Sequence, residues 1–167
     1  LFENYLKRRA LGEPLQYILG ETEFYGYKIR VNKNVLIPRP ETEQLAEKVI
    51  EVIVNSGKER ADILEIGTGS GCISIAIAKE LEKKNIDYHI TATDISDGAV
   101  NQAYGNISLN NAKNIELRIE DFLSLDSLKD YDYIVSNPPY IPNEDFLLLD
   151  ADIKDYEPEV ALTDNYD

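Results

Sequence analysis

The chain is expected to fold as an α/β domain built on a parallel sheet, and three observations predict this. From Ala61 onward, short apolar runs alternate with segments of helical spacing. The runs are apolar on both sides, as strands of a sheet covered by helices are. Each run also ends in glycine, carboxylate or asparagine residues, and such sheets bind ligands where their strands end.

The elements can be justified in order. Residues 1–11 carry Phe2, Leu6 and Arg9 on one helical face, and Gly12 with Pro14 ends the helix. Residues 1–12 therefore read as the end of a helical domain that lies upstream. Leu15–Leu19 and Glu23–Val31 are β-like runs punctuated by Gly20 and Gly26, so 13–34 reads as a β-hairpin linker. Val35-Leu36-Ile37 leads into Pro38-Arg39-Pro40, where Pro40 suits the first position of a helix. Glu41 and Glu43 favour its positive end. Leu45, Val49, Val52 and Ile53 follow at helical spacing, giving a helix over 41–54 with one buried face. Strand 62–66, helix 71–83, strand 88–93, helix 97–109 and strand 115–119 come next, and strand 131–135 runs into the sequence SNPPY at 136–140. Repeated units of this kind predict helices on both faces of the sheet. Residues 141–167 are acidic and irregular and read as loop. The sequence starts without methionine and stops at Asn165-Tyr166-Asp167 with no element closed off. A piece of a longer protein is expected, with the domain over 35–167 lacking its C-terminal strands.

Composition narrows the function classes. The 167 residues are 43% hydrophobic and 29% charged, an ordinary globular mix. No apolar run approaches the ~20 residues that cross a bilayer, and the N-terminal residues do not resemble a signal peptide. One cysteine, Cys72, excludes an internal disulfide and suits a reducing, cytoplasmic setting. One histidine and one cysteine make a zinc site unsuitable, and no metal is expected. With 17 basic and 31 acidic residues the net charge is −14, which repels polyphosphate and disfavours extended nucleic-acid binding.

Four strand ends carry candidate chemistry. Glu65-Ile66-Gly67-Thr68-Gly69-Ser70-Gly71 has a GxGxG pattern, unlike the GxGxxG of dinucleotide binders. It either cradles a ligand with its backbone or simply makes a tight turn. Asp94 can accept both hydroxyls of a ribose, or cap the next helix, a task Ser96 or Asp97 can also perform. Asp121 and Phe122 suit a purine, the carboxylate accepting from an amine while the ring stacks. The alternative is an exposed acid beside a core phenylalanine. Asn137-Pro138-Pro139-Tyr140 places an amide oxygen and a carbonyl in one stiff, donor-poor turn. Two such acceptors suit a planar –NH₂ group, and Tyr140 can cover its flat face. A proline-stiffened turn whose Asn bonds its own backbone is the bland alternative.

Together these motifs resemble a class I methyltransferase using S-adenosylmethionine, and more narrowly an amino-methyltransferase of the NPPY type. Residues 13–20 (EPLQYILG), 24–26 (FYG), 36–43 (LIPRPETE) and 156–162 (YEPEVAL) resemble one branch, the HemK-like peptide chain release factor glutamine methyltransferases. The resemblance implies a Rossmann-like sheet. It implies that Glu65, Gly67, Thr68, Gly69, Ser70, Gly71, Asp94, Asp121, Phe122 and Asn137 contact S-adenosylmethionine, which leaves as S-adenosylhomocysteine. It further implies that Asn137 and Pro138 hold the glutamine amide of the GGQ tip of a class I release factor, with Pro139 and Tyr140 against it. Arg39 either binds the substrate backbone or pairs with Glu43. The expected reaction is a direct in-line methyl transfer with no covalent enzyme intermediate. A nucleic-acid amino-methyltransferase with Tyr140 stacking a flipped base is the nearest rival. A non-catalytic cofactor-binding module is the rival of a different class.

Overall fold

A computed structural model describes residues 1–124, 128 and 130–163. Helix α1 (Phe2–Ala10) opens the chain with no buried residue. A single helical turn, α2 (Leu15–Leu19), follows it where a strand was expected. Pro14 pre-sets the entry at φ −54°, and Gly20 closes the turn in the left-handed region at φ 78°. An apolar run of this length is ambiguous by periodicity. Burial of Tyr17 and Ile18, with the Tyr17 hydroxyl donating to the Val35 carbonyl at 2.6 Å, decides it as helix.

A hairpin is present, but both of its strands and its turn lie within 21–30, so the turn falls inside the run expected as one strand over Glu23–Val31. Strands β1 (Glu21–Phe24) and β2 (Tyr27–Arg30) pair antiparallel, from Glu21 opposite Arg30 to Phe24 opposite Tyr27. Tyr25 and Gly26 both have positive φ, 53° and 77°, the geometry of the two-residue turn whose twist matches paired strands.

Helix α3 (Pro40–Asn55) begins at Pro40 as expected and buries Ala46, Ile50 and Ile53. Then come β3 (Arg60–Ile66), α4 (Cys72–Lys83), β4 (Asp87–Asp94), α5 (Asp97–Leu109), β5 (Ile115–Ile119) and β6 (Tyr133–Ser136). The sheet has the order β5-β4-β3-β6 with every neighbouring pair parallel. Its core is Ile63, Leu64, Ile75, Ile77 and Ile90, all fully buried. Helix α4 is buried from Cys72 through Ala78 because it lies between the sheet and its neighbouring helices.

Helices α4 and α5 contact each other and both pack on β4, and the right-handed rule for parallel crossovers puts these two connections, β3 to β4 and β4 to β5, on the same face of the sheet. The return from β5 to β6 reverses direction. Among the described residues it carries only a 3₁₀ turn, Phe122–Ser124. The second helical layer expected from the repeated units is therefore not seen in the described residues, and Ile134 of β6 is 47% exposed.

Residues 141–163 are more ordered than the loop expected there; 164–167 lie outside the described residues. Short helices α6 (Asn143–Phe146) and α7 (Ala151–Lys154) precede a 3₁₀ turn, Glu159–Ala161. Ile141 then forms a parallel bridge with Thr163. Helices of four residues leave no periodic signal, which is why the sequence reads as irregular here. No helix among the described residues is long and apolar enough to cross a membrane.

A candidate active site at the carboxyl ends of the strands

The strand order reverses between β3 and β6, and in open parallel sheets this switch point opens a crevice at the carboxyl edge. The loops after β3 and β6 flank it, and those after β4 and β5 extend it. A cleft of about 400 Å³ occupies this position. Gly67, Thr68, Gly69, Ser70, Asp94, Asp121, Phe122, Asn137, Pro138, Pro139 and Arg39 all line it. The four strand ends singled out in the sequence thus meet in one place.

The glycine loop is shaped by its backbone. Gly67 and Gly69 have φ of 72° and 54°, and a Cβ on either would meet no atom within 4 Å. Glycine here provides the left-handed conformation and keeps the cleft open at the same time. Gly71 differs, since a Cβ there would stand 3.2 Å from the Ala103 Cβ of α5. It faces the packed side of the loop and does not line the cleft.

Glu65 also lies behind the loop and not in its wall. It is 1% exposed, and its Oε2 accepts from the hydroxyls of Thr68, at 2.8 Å, and Ser74. Its Oε1 is buried with no hydrogen-bond partner among the described residues. Burial pushes the carboxyl up to about 7, the two hydroxyls opposing the shift.

Asp94 ends β4 and accepts two backbone N–H groups, Gly69 onto Oδ2 at 2.8 Å and Ser96 onto Oδ1 at 2.9 Å. The helix-cap alternative for Asp94 falls to Ser96, whose Oγ accepts from Ala99 N–H at 3.2 Å. Each Asp94 oxygen keeps a further lone pair for a ligand. Asp121 accepts from Leu123 N–H at 3.0 Å, and Phe122 is 45% exposed at the cleft wall.

On the opposite side, Asn137 Nδ2 is turned toward Thr42 Oγ1 at 3.5 Å. That orientation leaves Oδ1 as the acceptor end of the amide, beside a Pro138 whose nitrogen has no hydrogen to donate. Tyr140 is 77% exposed and does not line the cleft. It lines a second cavity of about 360 Å³, which Asn137, Pro138, Thr42, Leu36, Arg39 and Ala161 share with the first.

Within the chain Arg39 does not pair with Glu43. Its guanidinium pairs with Glu157 at 2.5 Å, and Glu157 also accepts from Ile37 N–H at 3.1 Å. Glu43, the partner expected for Arg39, instead accepts from Tyr25 N–H at 2.8 Å. Glu157 wins because its side chain is only 2% exposed, and a buried carboxylate needs a cation.

Three residues of the site escape a reading of the sequence: Thr42, Glu157, and Asn106, whose amide reaches the Ser70 carbonyl at 2.9 Å. Thr42 and Glu157 lie inside the stretches 36–43 and 156–162 that carry the resemblance, but nothing local shows that either meets its partner. Asn106 does leave one, since Gln102, Asn106 and Asn110 recur every fourth residue along one face of α5. Cys72 is buried, and burial pushes its thiol up to about 12, which suits a packing role. No group of three or more His, Cys, Asp or Glu suited to a metal occurs among the described residues.

Comparisons with known proteins agree with this architecture. The sequence is 46% identical over 154 residues to the release factor glutamine methyltransferase of Fusobacterium nucleatum subsp. nucleatum, covering 91% of this chain and 42% of that protein. It is 42% identical over 165 residues to the protein of that name from Thermodesulfovibrio yellowstonii, covering 97% and 57%. The chain thus spans about half the length of the curated relatives it matches. Among solved structures, the hMettl16 catalytic domain in complex with MAT2A 3'UTR hairpin 6 superposes with a TM-score of 0.65 at 20% identity. The match covers 89% of this chain and 56% of that one. M. jannaschii TYW2 in complex with AdoMet superposes with a TM-score of 0.58 at 15% identity, covering 72% and 52%. At these identities the structural likeness establishes the fold alone. Residues 43–148, well over half of the sequence, match the family described as Methyltransferase small domain, and the chain belongs to that family.

Proposed function

We propose that the cleft binds S-adenosylmethionine and that the protein methylates the side-chain amide nitrogen of a glutamine, the one in the GGQ motif of class I peptide chain release factors. One observation carries the reading. Asn137 and Pro138 line both cavities, so an amide and a carbonyl stand between a nucleoside-sized cleft and a second space open to a protein substrate. The names of the relatives, which are similar over nearly the whole of this chain, support the choice of substrate.

The residues present fit the cofactor. Gly67 and Gly69 leave an open cradle beside the β3 end, where the methionine part belongs. Asp94 keeps lone pairs for ribose hydroxyls, and Asp121 with Phe122 offers an acceptor and a ring to adenine. When bound, S-adenosylmethionine supplies a methyl carbon already activated by its sulfonium, so the new N–C bond forms as the S–C bond breaks.

The chain's own part is to prepare the nucleophile. An amide nitrogen is weakly nucleophilic because its lone pair is conjugated with the carbonyl. The Asn137 oxygen and the Pro138 carbonyl accept both of its hydrogens and hold the group in one orientation. They favour the geometry in which the lone pair is freed toward the methyl. Tyr140, in the second cavity, covers the flat face of the amide. The proton leaves the methylated nitrogen afterwards to water or a carbonyl, so no general base is required before attack. With a net charge of −14 the surface suits a small protein tip inserted into a pocket better than a polyanion laid across it.

The test is to incubate the full-length protein with methyl-labelled S-adenosylmethionine and, separately, a class I release factor, tRNA or DNA. Label on the release factor's GGQ glutamine is the expected result. Label on tRNA or DNA, with none on the release factor, overturns the substrate. Binding of the cofactor with no label on any of them overturns the catalytic reading.

A further inference from the structure

Gln102, Asn106 and Asn110 of α5 face the edge of β2 that is turned away from β1. Asn110 Nδ2 donates to the Lys28 carbonyl at 2.9 Å, and Gln102 Nε2 and Asn106 Nδ2 both donate to the Arg30 carbonyl at 2.9 Å. Arg30 N–H in turn donates to Asn106 Oδ1 at 2.8 Å. Four helical residues advance ~6 Å, close to the ~6.6 Å between alternate residues of a strand. The amides of α5 therefore act as a substitute neighbour strand for the hairpin.

Asn106 does more than the other two. It is fully buried, and its amide also donates to the carbonyl of Ser70 inside the glycine loop, at 2.9 Å. Both its N–H groups and its oxygen are engaged. One turn earlier on the same face, Ala103 packs against Gly71. Helix α5 thus closes on the loop at two positions one turn apart, while the hairpin backbone sets the orientation of the amide that holds the loop.

We propose that Asn106 is a positioning residue for the cofactor: it takes its orientation from the Arg30 backbone and fixes the Ser70 carbonyl, and with it the curvature of the loop under the ligand. Asn106 itself touches no ligand, and it ties cofactor affinity to the seating of the hairpin. The inference rests on the reading of the cleft as an S-adenosylmethionine site.

Calorimetry with S-adenosylmethionine on the full-length protein tests it. Asn106→Asp keeps the acceptor for Arg30 N–H but removes the donors to both carbonyls, and its Kd is expected to rise about tenfold or more. Gln102→Ala and Asn110→Ala each remove a hairpin bond without reaching Ser70. They are expected to lower the melting temperature while leaving Kd within about twofold. A merely structural role would make all three behave alike, and that result overturns the proposal. So does an Asn106→Asp Kd within about twofold of wild type. Should Asn106→Asp not fold, amide exchange in the wild-type protein decides the matter. Slower exchange of the Arg30 N–H on adding cofactor supports the coupling, and unchanged exchange overturns it. A wild-type protein that does not bind S-adenosylmethionine overturns the functional reading itself, which separates the two failures.

Discussion

On the glycine-loop side of the cleft the polar groups are tied back into the protein, whereas on the diproline side the Asn137 amide has, among the described residues, one hydrogen-bond partner, Thr42 at 3.5 Å. Asp94 holds two backbone N–H groups, Glu65 spans Thr68 and Ser74, and Asn106 grips Ser70 from behind. The first half is fixed before any ligand arrives, as a site for one invariant molecule should be. The second half leaves the Asn137 oxygen without a hydrogen-bond partner among the described residues and opens on a cavity bordered by the exposed Tyr140. On the reading proposed above, the hydrogen bonds it lacks among the described residues are those an incoming amide would supply.

Mutations on the two sides should therefore fail differently. The largest effect is expected for Asn137→Ala in the full-length protein. Removing a donor or acceptor aimed at reacting atoms costs on the order of a thousandfold in kcat. The Kd for S-adenosylmethionine should stay within about twofold, because the cofactor half is held independently. Single-turnover methylation alongside calorimetry separates the two, and near-normal turnover would remove Asn137 from the mechanism.

A smaller effect, on stability and not on turnover, is expected at Glu65. Its carboxyl is held at about 7 in the folded protein against an ordinary 4.5. The native state therefore binds this proton more tightly than the unfolded chain does. The resulting stabilisation is fully present below pH ~4.5 and is lost as pH rises through about 7, an amount of about 3 kcal/mol. Glu65→Gln cannot titrate, so its stability should gain on wild type across that window. Denaturant melts between pH 4 and 8 measure the difference, and parallel curves would show that burial of Glu65 carries no such linkage.

The smallest effect is expected at Thr42. Thr42→Val removes the hydroxyl that orients Asn137, and the length of that bond limits the loss to about three- to tenfold in kcat. Thr42→Ser should restore the activity, and the Kd for cofactor should not move in either variant. A Thr42→Val enzyme with unchanged kcat would mean that the diproline turn alone aims the amide.

The ion pair of Arg39 with Glu157 belongs to the same contrast. It joins the start of α3 to the segment that returns after α7, so it braces the wall that the two cavities share. The sequence offers Arg39 a carboxylate one helical turn away, Glu43, and says nothing of one 118 residues distant. Leu15–Leu19 failed for a related reason. Five apolar residues between a proline and a glycine satisfy either period, and only the buried Tyr17–Val35 contact favours the helical one.

The sequence by itself determined the alternation of strands and helices, the parallel sheet, and the four strand ends that carry polar residues. These are local properties, set by the period of apolar side chains and by where that period stops. Tertiary structure alone decided that α4 and α5 share a face, that amides of α5 replace a strand beside the hairpin, and that Thr42 turns the Asn137 amide across 95 residues of chain. A hydrogen bond requires its partners within about 3.5 Å, and only the closed topology of the chain brings such distant groups that near.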